Sequence, residues 1–127
     1  MSTGCSGKKT GMAILLVDDN NDSLQITARL LRRVGFTVHA ARTAKEASDL
    51  AAGSPCGILI SDIGLPDHSG LELMRELKAT YGLKGIALTG HVEPQDKQDA
   101  ADAGFSRHLA KPTTFTDLLS AIKEVVG

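Results

Sequence analysis

Apolar residues along this chain fall into five short runs, and longer amphipathic stretches separate them. The runs at 13–18, 57–62 and 85–89 are almost continuously apolar and each ends in a polar residue, which is typical of strands buried within a parallel sheet. The runs at 36–41 and 105–110 mix apolar and polar residues, which favours strands at the edges of that sheet.

The stretches between the runs have the caps and the spacing of helices. Asn20 and its polar neighbours can cap a first helix that Gly35 ends, and Thr43 can cap a second. Further helices are predicted at 70–80, at 94–103 and near the C-terminus. The fourth has only small side chains to bury, mainly those of Ala100, Ala101 and Ala103.

Alternating strands and helices predict an α/β fold. With three buried strands in the middle and two mixed strands at the edges, the pattern selects a doubly wound, five-stranded parallel sheet in the flavodoxin-like order 2-1-3-4-5. The chain of 127 residues suffices for one domain, predicted to span 13–127. Residues 1–12 are rich in Gly, Ser, Thr and Lys, which predicts a flexible leader.

Composition narrows the class of protein. A net charge of -1 and an aromatic content of 3% argue against direct binding to nucleic acid or to a membrane surface. The sequence has no apolar stretch long enough for a membrane span and no signal-peptide pattern. We therefore expect a cytoplasmic protein, or a soluble piece of a larger one. Cys5 and Cys56 lack metal-ligand partners nearby and are interpreted as incidental thiols.

Chemically useful side chains lie where the predicted strands end. Asp18 and Asp19 follow the first strand, Asp62 ends the third, Thr89 ends the fourth and Lys111 follows the fifth. Because ligand sites of open α/β sheets form at the carboxyl ends of the strands, these side chains should share one crevice. Three carboxylates that repel one another favour a hard divalent cation, and Mg²⁺ commonly binds such oxygens together with phosphate.

Taken together, the residues at these strand ends resemble those of a known family. Asp18-Asp19, Asp62 in SDIGLPD, Gly70, Thr89 in ALTG and Lys111-Pro112 together resemble the receiver domain of two-component response regulators, over about residues 13–126. The resemblance implies that Asp62 is the phosphoacceptor and that Asp18, Asp19, Asp62 and the backbone carbonyl of Gly64 bind Mg²⁺. It also implies that Lys111 and Thr89 contact the phosphoryl group, and that Thr89 acts in the switch by relaying the presence of that group.

The resemblance also implies partners. The phosphoryl group would come from a histidine kinase or a histidine phosphotransfer protein, and the domain would catalyse its own phosphorylation and dephosphorylation without being a conventional enzyme. The downstream partner is unknown. A dimer through the face of helix four, strand five and helix five is a candidate.

Three positions bear on the switch and on the lifetime of the phosphoryl group. His108 stands where many receivers carry Tyr or Phe three residues before the lysine, so a histidine would have to replace the aromatic switch, or it is simply an edge-strand residue. Gly64 brings no side chain over the site and leaves access to water. His91 either shields the phosphoryl group or lies on the rim of the site.

Other interpretations stay open from the sequence. The chain could be a single-domain regulator or the receiver of a hybrid histidine kinase, which would make it part of a membrane-associated protein. A Mg²⁺-dependent phosphatase with an aspartyl nucleophile, or a docking module that works without phosphorylation, would use the same fold. The phosphatase would need a cap or a substrate pocket, for which the chain offers no segment.

Overall fold

The computed structural model describes residues 13–53, 56–65, 67–90, 94–111 and 113–126. Five strands alternate with five helices in it: β1 (Ala13–Val17), α1 (Asn21–Val34), β2 (Thr37–Ala41), α2 (Ala44–Gly53), β3 (Ile58–Asp62), α3 (Gly70–Tyr81), β4 (Lys84–Thr89), α4 (Pro94–Ala103), β5 (Phe105–Ala110) and α5 (Phe115–Val126). The predicted leader, residues 1–12, lies outside the described residues.

The strands form one parallel sheet in the order β2-β1-β3-β4-β5. This confirms the predicted α/β class and strand order. β1 and β3 are buried at every position, whereas β2 and β5 each have several accessible positions. The mixed composition of the second and fifth runs therefore identified the two edges correctly.

Apolar side chains pack on both faces of the sheet. The cluster on one face joins β1, β3 and β4 to α1 and α5, and includes Leu16, Leu24 and Ile122. The other cluster joins the same strands to α2, α3 and α4, and includes Leu15, Met74 and Leu77. Burying each large side chain contributes about 1.5–3 kcal/mol of hydrophobic free energy, so this double layer holds the strand ends in fixed positions.

The predicted helix caps are present. The side chain of Asn20 accepts a hydrogen bond from the Ser23 amide, and Gly35 ends α1 in the left-handed conformation with φ 111°. Thr43 Oγ1 accepts a hydrogen bond from the Glu46 amide in the first turn of α2. In α4, Ala100 and Ala103 are buried as predicted, but Ala101 is exposed. That part of the prediction was wrong, because Ala101 faces away from the sheet-facing side on which Ala100 and Ala103 lie.

Candidate functional site

The carboxyl edge of the sheet brings together residues from four strands. Asp18 follows β1 and Asp62 ends β3, and the register pairs Val17 with Ser61, so the two carboxylates lie side by side. Thr89 ends β4. Lys111 follows β5, and its backbone amide donates to the carbonyl of Thr89 at 2.7 Å. The order of the strands thus aligns the acidic residues, the hydroxyl and the ammonium along one edge.

Lys111 contacts two of the carboxylates. Its Nζ lies 2.6 Å from Asp62 Oδ1 and 3.5 Å from Asp18 Oδ2. Both aspartate side chains are only 7% exposed, whereas that of Lys111 is 35% exposed. The ammonium therefore lies between the buried carboxylates and solvent, where a group arriving from outside would meet it.

Burial and crowding change the acid-base behaviour of the site. Burial, together with the hydrogen bond to Asp18, raises the pKa of Asp62 from 3.8 to about 7, although Lys111 opposes the rise. Burial works to lower the pKa of Lys111, but the hydrogen bond and the negative charge of Asp62 outweigh it, and the pKa of Lys111 is raised. Without a metal ion, the Asp62 carboxyl group therefore keeps its proton to a higher pH than an ordinary aspartate does.

The raised pKa of Asp62 leads to a pH-dependent prediction. A carboxyl group whose pKa is higher in the fold stabilises it fully below the unfolded pKa of 3.8, and this contribution is lost as pH rises through about 7. In buffer with a chelator, we expect Asp62→Asn to raise the thermal midpoint more at about pH 8 than at about pH 5, because the contribution is lost only in part at the lower pH and completely at the higher one. Thermal unfolding followed by circular dichroism measures both. The exposed Asp49→Asn serves as the control, and an equal gain at the two pH values would contradict the prediction.

The three carboxylates have the composition of a Mg²⁺ site. One oxygen from each of Asp18, Asp19 and Asp62 lies within 4.8 Å of the other two. Octahedral Mg²⁺ holds its oxygen ligands at 2.0–2.1 Å, so opposite ligands are about 4.2 Å apart. Small inward movements of these side chains would meet that geometry. The oxygen donor set and its spacing therefore fit the ion that the sequence implied.

A backbone amide orients the Asp18 carboxylate. The amide of Asn20 donates to Asp18 Oδ1 at 2.9 Å, while the Asn20 side chain caps α1 through Ser23. This leaves Asp18 Oδ2 facing Lys111. The start of α1 and the orientation of an acidic side chain in the site are thus fixed by the same residue.

The loop after β3 is closed tightly beside Asp62. Gly64 pairs with Ser69 in an isolated antiparallel bridge, and the amide of Gly70 donates to the carbonyl of Ile63 at 2.6 Å. A Cβ on Gly70 would overlap the carbonyl oxygen of Asp62 and lie 2.9 Å from Ile63 Cα. A Cβ on Gly64 would meet nothing within 4 Å. Gly70 is therefore needed for close packing against the backbone of Asp62.

Gly70→Ala should destabilise the domain by about 2 kcal/mol, because overpacking against fixed backbone typically costs 1–3 kcal/mol. Alanine's greater helix propensity would return less than about 1 kcal/mol at this first position of α3. Urea unfolding gives the free energy, and Gly64→Ala is the matched control in the same loop. Equal stability of the two variants would show that the loop adapts freely and would contradict the prediction.

Two of the remaining predicted residues, Thr89 and His108, lie within the described part of the chain. Thr89 is half-buried at the end of β4. His108 is half-buried on β5, beside a shallow depression that Ala100, Ala101 and Phe105 also line. His91 and Pro112 lie outside the described residues. The predictions for His91 and for the switch role of His108 therefore stay predictions.

Two residues with clear roles in the site were not singled out from the sequence. Ser61 is fully buried and its hydroxyl donates to the carbonyl of Asp62 at 2.8 Å. The Asp67 carboxylate accepts hydrogen bonds from the amides of Ala44 and Lys45 at the start of α2. Asp67 and Ala44 are 23 residues apart, and no local pattern connects them. A serine next to a strand-end aspartate is equally uninformative by itself.

An apolar cleft of about 520 Å³ adjoins the site between α1 and α5. Asp18 and Lys111 border it, and its walls include Ile26, Leu30 and Phe115. Ile26 is 59% exposed.

Over the part of the chain that the structure describes, no helix is both long and apolar enough to cross a membrane.

Comparison with known proteins gives consistent matches. The family described as the response regulator receiver domain matches residues 14–123. A receiver domain protein of Methanospirillum hungatei, described as CheY-like, is 33% identical with a TM-score of 0.82, covering 89% of this chain and 91% of that one. The transcriptional regulatory protein PmrA of Pectobacterium parmentieri is 31% identical over 116 residues, which is 91% of this chain and 52% of that protein.

A sensor protein is also similar. The aerobic respiration control sensor protein ArcB of Escherichia coli is 32% identical over 115 residues, covering 87% of this chain but 15% of the sensor. The chain spans about half the length of the transcriptional regulators that it matches.

Proposed function

Because this chain belongs to the response regulator receiver domain family of two-component signalling, we propose that it accepts a phosphoryl group on Asp62 and relays it as a signal between proteins. The family is not one of conventional enzymes. One observation carries the proposal: the Lys111 ammonium lies 2.6 Å from the Asp62 carboxylate, in a site that holds two further acidic side chains.

The proposed reaction is a transfer from a phosphohistidine. An oxygen of the Asp62 carboxylate attacks the phosphorus atom, the P–N bond breaks, and its electron pair returns to the imidazole, which is released after taking up a proton. The product is an acyl phosphate on Asp62. Lys111 neutralises charge on the phosphoryl oxygens, and the hydroxyl of Thr89 donates a hydrogen bond to one of them.

We propose that Asp18, Asp19, Asp62 and the backbone carbonyl of Gly64 hold Mg²⁺. When bound, the ion would offset the negative charge of the acidic side chains and of the phosphoryl oxygens. The spacing of the three carboxylate oxygens supports this set of ligands. Asp62 would then be ionised at neutral pH, as a nucleophile must be, because a neighbouring cation lowers the pKa of a carboxyl group.

The proposed phosphodonor is a histidine kinase or a histidine phosphotransfer protein. The cleft bordered by Asp18 and Lys111 supports this, because a protein seated there would contact the two residues that interact with Asp62. We propose that the downstream partner binds the face formed by α4, β5 and α5, and that His108 is the switch residue. Arg107 on β5 forms an ion pair with Glu124 on α5. A movement of β5 would therefore also change the position of α5. The same face is the candidate for a dimer.

The proposal is tested with a small phosphodonor. Incubation with acetyl phosphate and Mg²⁺ should add one labile phosphoryl group to the protein, seen by intact mass spectrometry, and a chelator should prevent it. Steady release of alcohol from a generic phosphoester would favour the phosphatase interpretation instead. Failure to form any adduct would favour a docking module that works without phosphorylation.

A further inference from the structure

The loop that follows the phosphoacceptor is attached to a distant helix by one side chain. Asp67 Oδ1 accepts a hydrogen bond from the Ala44 amide at 2.9 Å, and Oδ2 accepts one from the Lys45 amide at 3.0 Å. The amide of His68 also donates to Oδ1, at 3.0 Å. A single carboxylate, that of Asp67, thus joins the loop after β3 to the first turn of α2.

This contact provides two of the hydrogen bonds that the start of α2 needs. The first amides of a helix have no partner within the helix and require acceptors from elsewhere. The side chain of Thr43 provides one, to Glu46, and Asp67 provides those for Ala44 and Lys45. Backbone hydrogen bonds, first that from Ala44 and then those from Lys45 and His68, lower the pKa of Asp67. The carboxylate is therefore ionised at neutral pH and favourably placed near the positive end of the helix dipole.

The same loop carries a proposed metal ligand. Gly64 lies two residues after Asp62, and its bridge to Ser69 closes the base of the loop. Gly64 is thus attached to the start of α3 through Ser69, and Asp67 is attached to the first turn of α2. The proposed metal ligand and the contact with α2 therefore lie three residues apart in the same loop.

We propose that Asp67 is a positioning residue that couples Mg²⁺ binding at the Asp62 site to the first turn of α2. This inference rests on the proposed metal site. Holding Asp67 against α2 preorganises the Gly64 carbonyl, and by linkage a bound cation protects the hydrogen bonds between Asp67 and α2. The start of α2 would then report on the site although it contributes no ligand to it.

The test compares Asp67→Ala and the milder Asp67→Asn with wild type. We expect Asp67→Ala to weaken Mg²⁺ binding, measured by calorimetry, about tenfold, as when an outer-shell partner of a metal ligand is removed. Hydrogen exchange followed by NMR should show that Mg²⁺ slows exchange of the Ala44 and Lys45 amides in wild type. This protection should be lost in Asp67→Ala and reduced in Asp67→Asn.

A matched control separates coupling from charge. Glu76→Gln removes a carboxylate from the same α2–α3 groove, where it accepts a hydrogen bond from the Ser48 hydroxyl on α2, and should leave both measurements unchanged. Mg²⁺ affinity equal to wild type in Asp67→Ala would overturn the inference. So would weaker binding with the Mg²⁺ protection of Ala44 and Lys45 intact. A wild-type protein that binds no Mg²⁺ would instead refute the proposed metal site.

Discussion

Replacing Asp62 by Asn is expected to abolish phosphorylation completely. The amide keeps the shape of the side chain but lacks the anionic oxygen that attacks phosphorus, so no acyl phosphate can form. Incubation with acetyl phosphate and Mg²⁺, followed by intact mass spectrometry, should show the adduct in wild type and none in the variant. The fold should persist, because the amide fits the volume of a side chain that is already nearly buried.

Two comparisons make this result specific to Asp62. Asp49→Asn removes an exposed carboxylate on α2 that pairs with Lys45, and it should be phosphorylated like wild type. The circular dichroism spectrum of Asp62→Asn should match that of wild type. An adduct that survives in Asp62→Asn would place the phosphoacceptor elsewhere and defeat the proposed role.

Replacing Lys111 by Met should slow phosphorylation about 10²–10³-fold, the usual loss when one preorganised group that stabilises transition-state charge is removed. Methionine keeps the length of the side chain and loses the ammonium that lies 2.6 Å from Asp62. The rate is measured from the time course of adduct formation at saturating Mg²⁺, so that a change in metal affinity does not contribute.

The conservative variant and a surface control complete the comparison. Lys111→Arg keeps the positive charge but replaces a compact ammonium by a planar, wider group, and its rate should lie between those of wild type and Lys111→Met. Lys123→Met, on the exposed side of α5, should be phosphorylated at the wild-type rate. A wild-type rate in Lys111→Met would show that the contact with Asp62 serves only the charge balance of the resting site.

The fold could be predicted because its signals are local. Continuous apolar runs distinguish central strands from edge strands, and the caps at Asn20, Thr43 and Gly35 lie within a few residues of the amides or carbonyls they satisfy. The exposed Ala101 shows that such local signals do not always predict which positions are buried. In a helix with only alanines to bury, the apolar pattern does not distinguish the buried positions from their neighbours.

The residues of the candidate site could be named for a different reason. Parallel strands end at one edge, so polar residues at those ends must meet, and Asp18, Asp62 and Lys111 do lie in contact distance. What the sequence lacked were contacts between elements distant in the chain. The attachment of Asp67 to the start of α2 spans 23 residues and depends on how the loop packs, which no periodicity encodes.

The measurement that tests the central claim most directly is the position of the phosphoryl group. Borohydride reduces an acyl phosphate on aspartate to homoserine, and peptide sequencing by mass spectrometry then identifies the residue. After treatment of the wild-type protein with acetyl phosphate and Mg²⁺, we predict homoserine at position 62 and at no other aspartate, and none when Mg²⁺ is chelated. Homoserine in place of Asp18 or Asp19, or its absence throughout, would contradict the account.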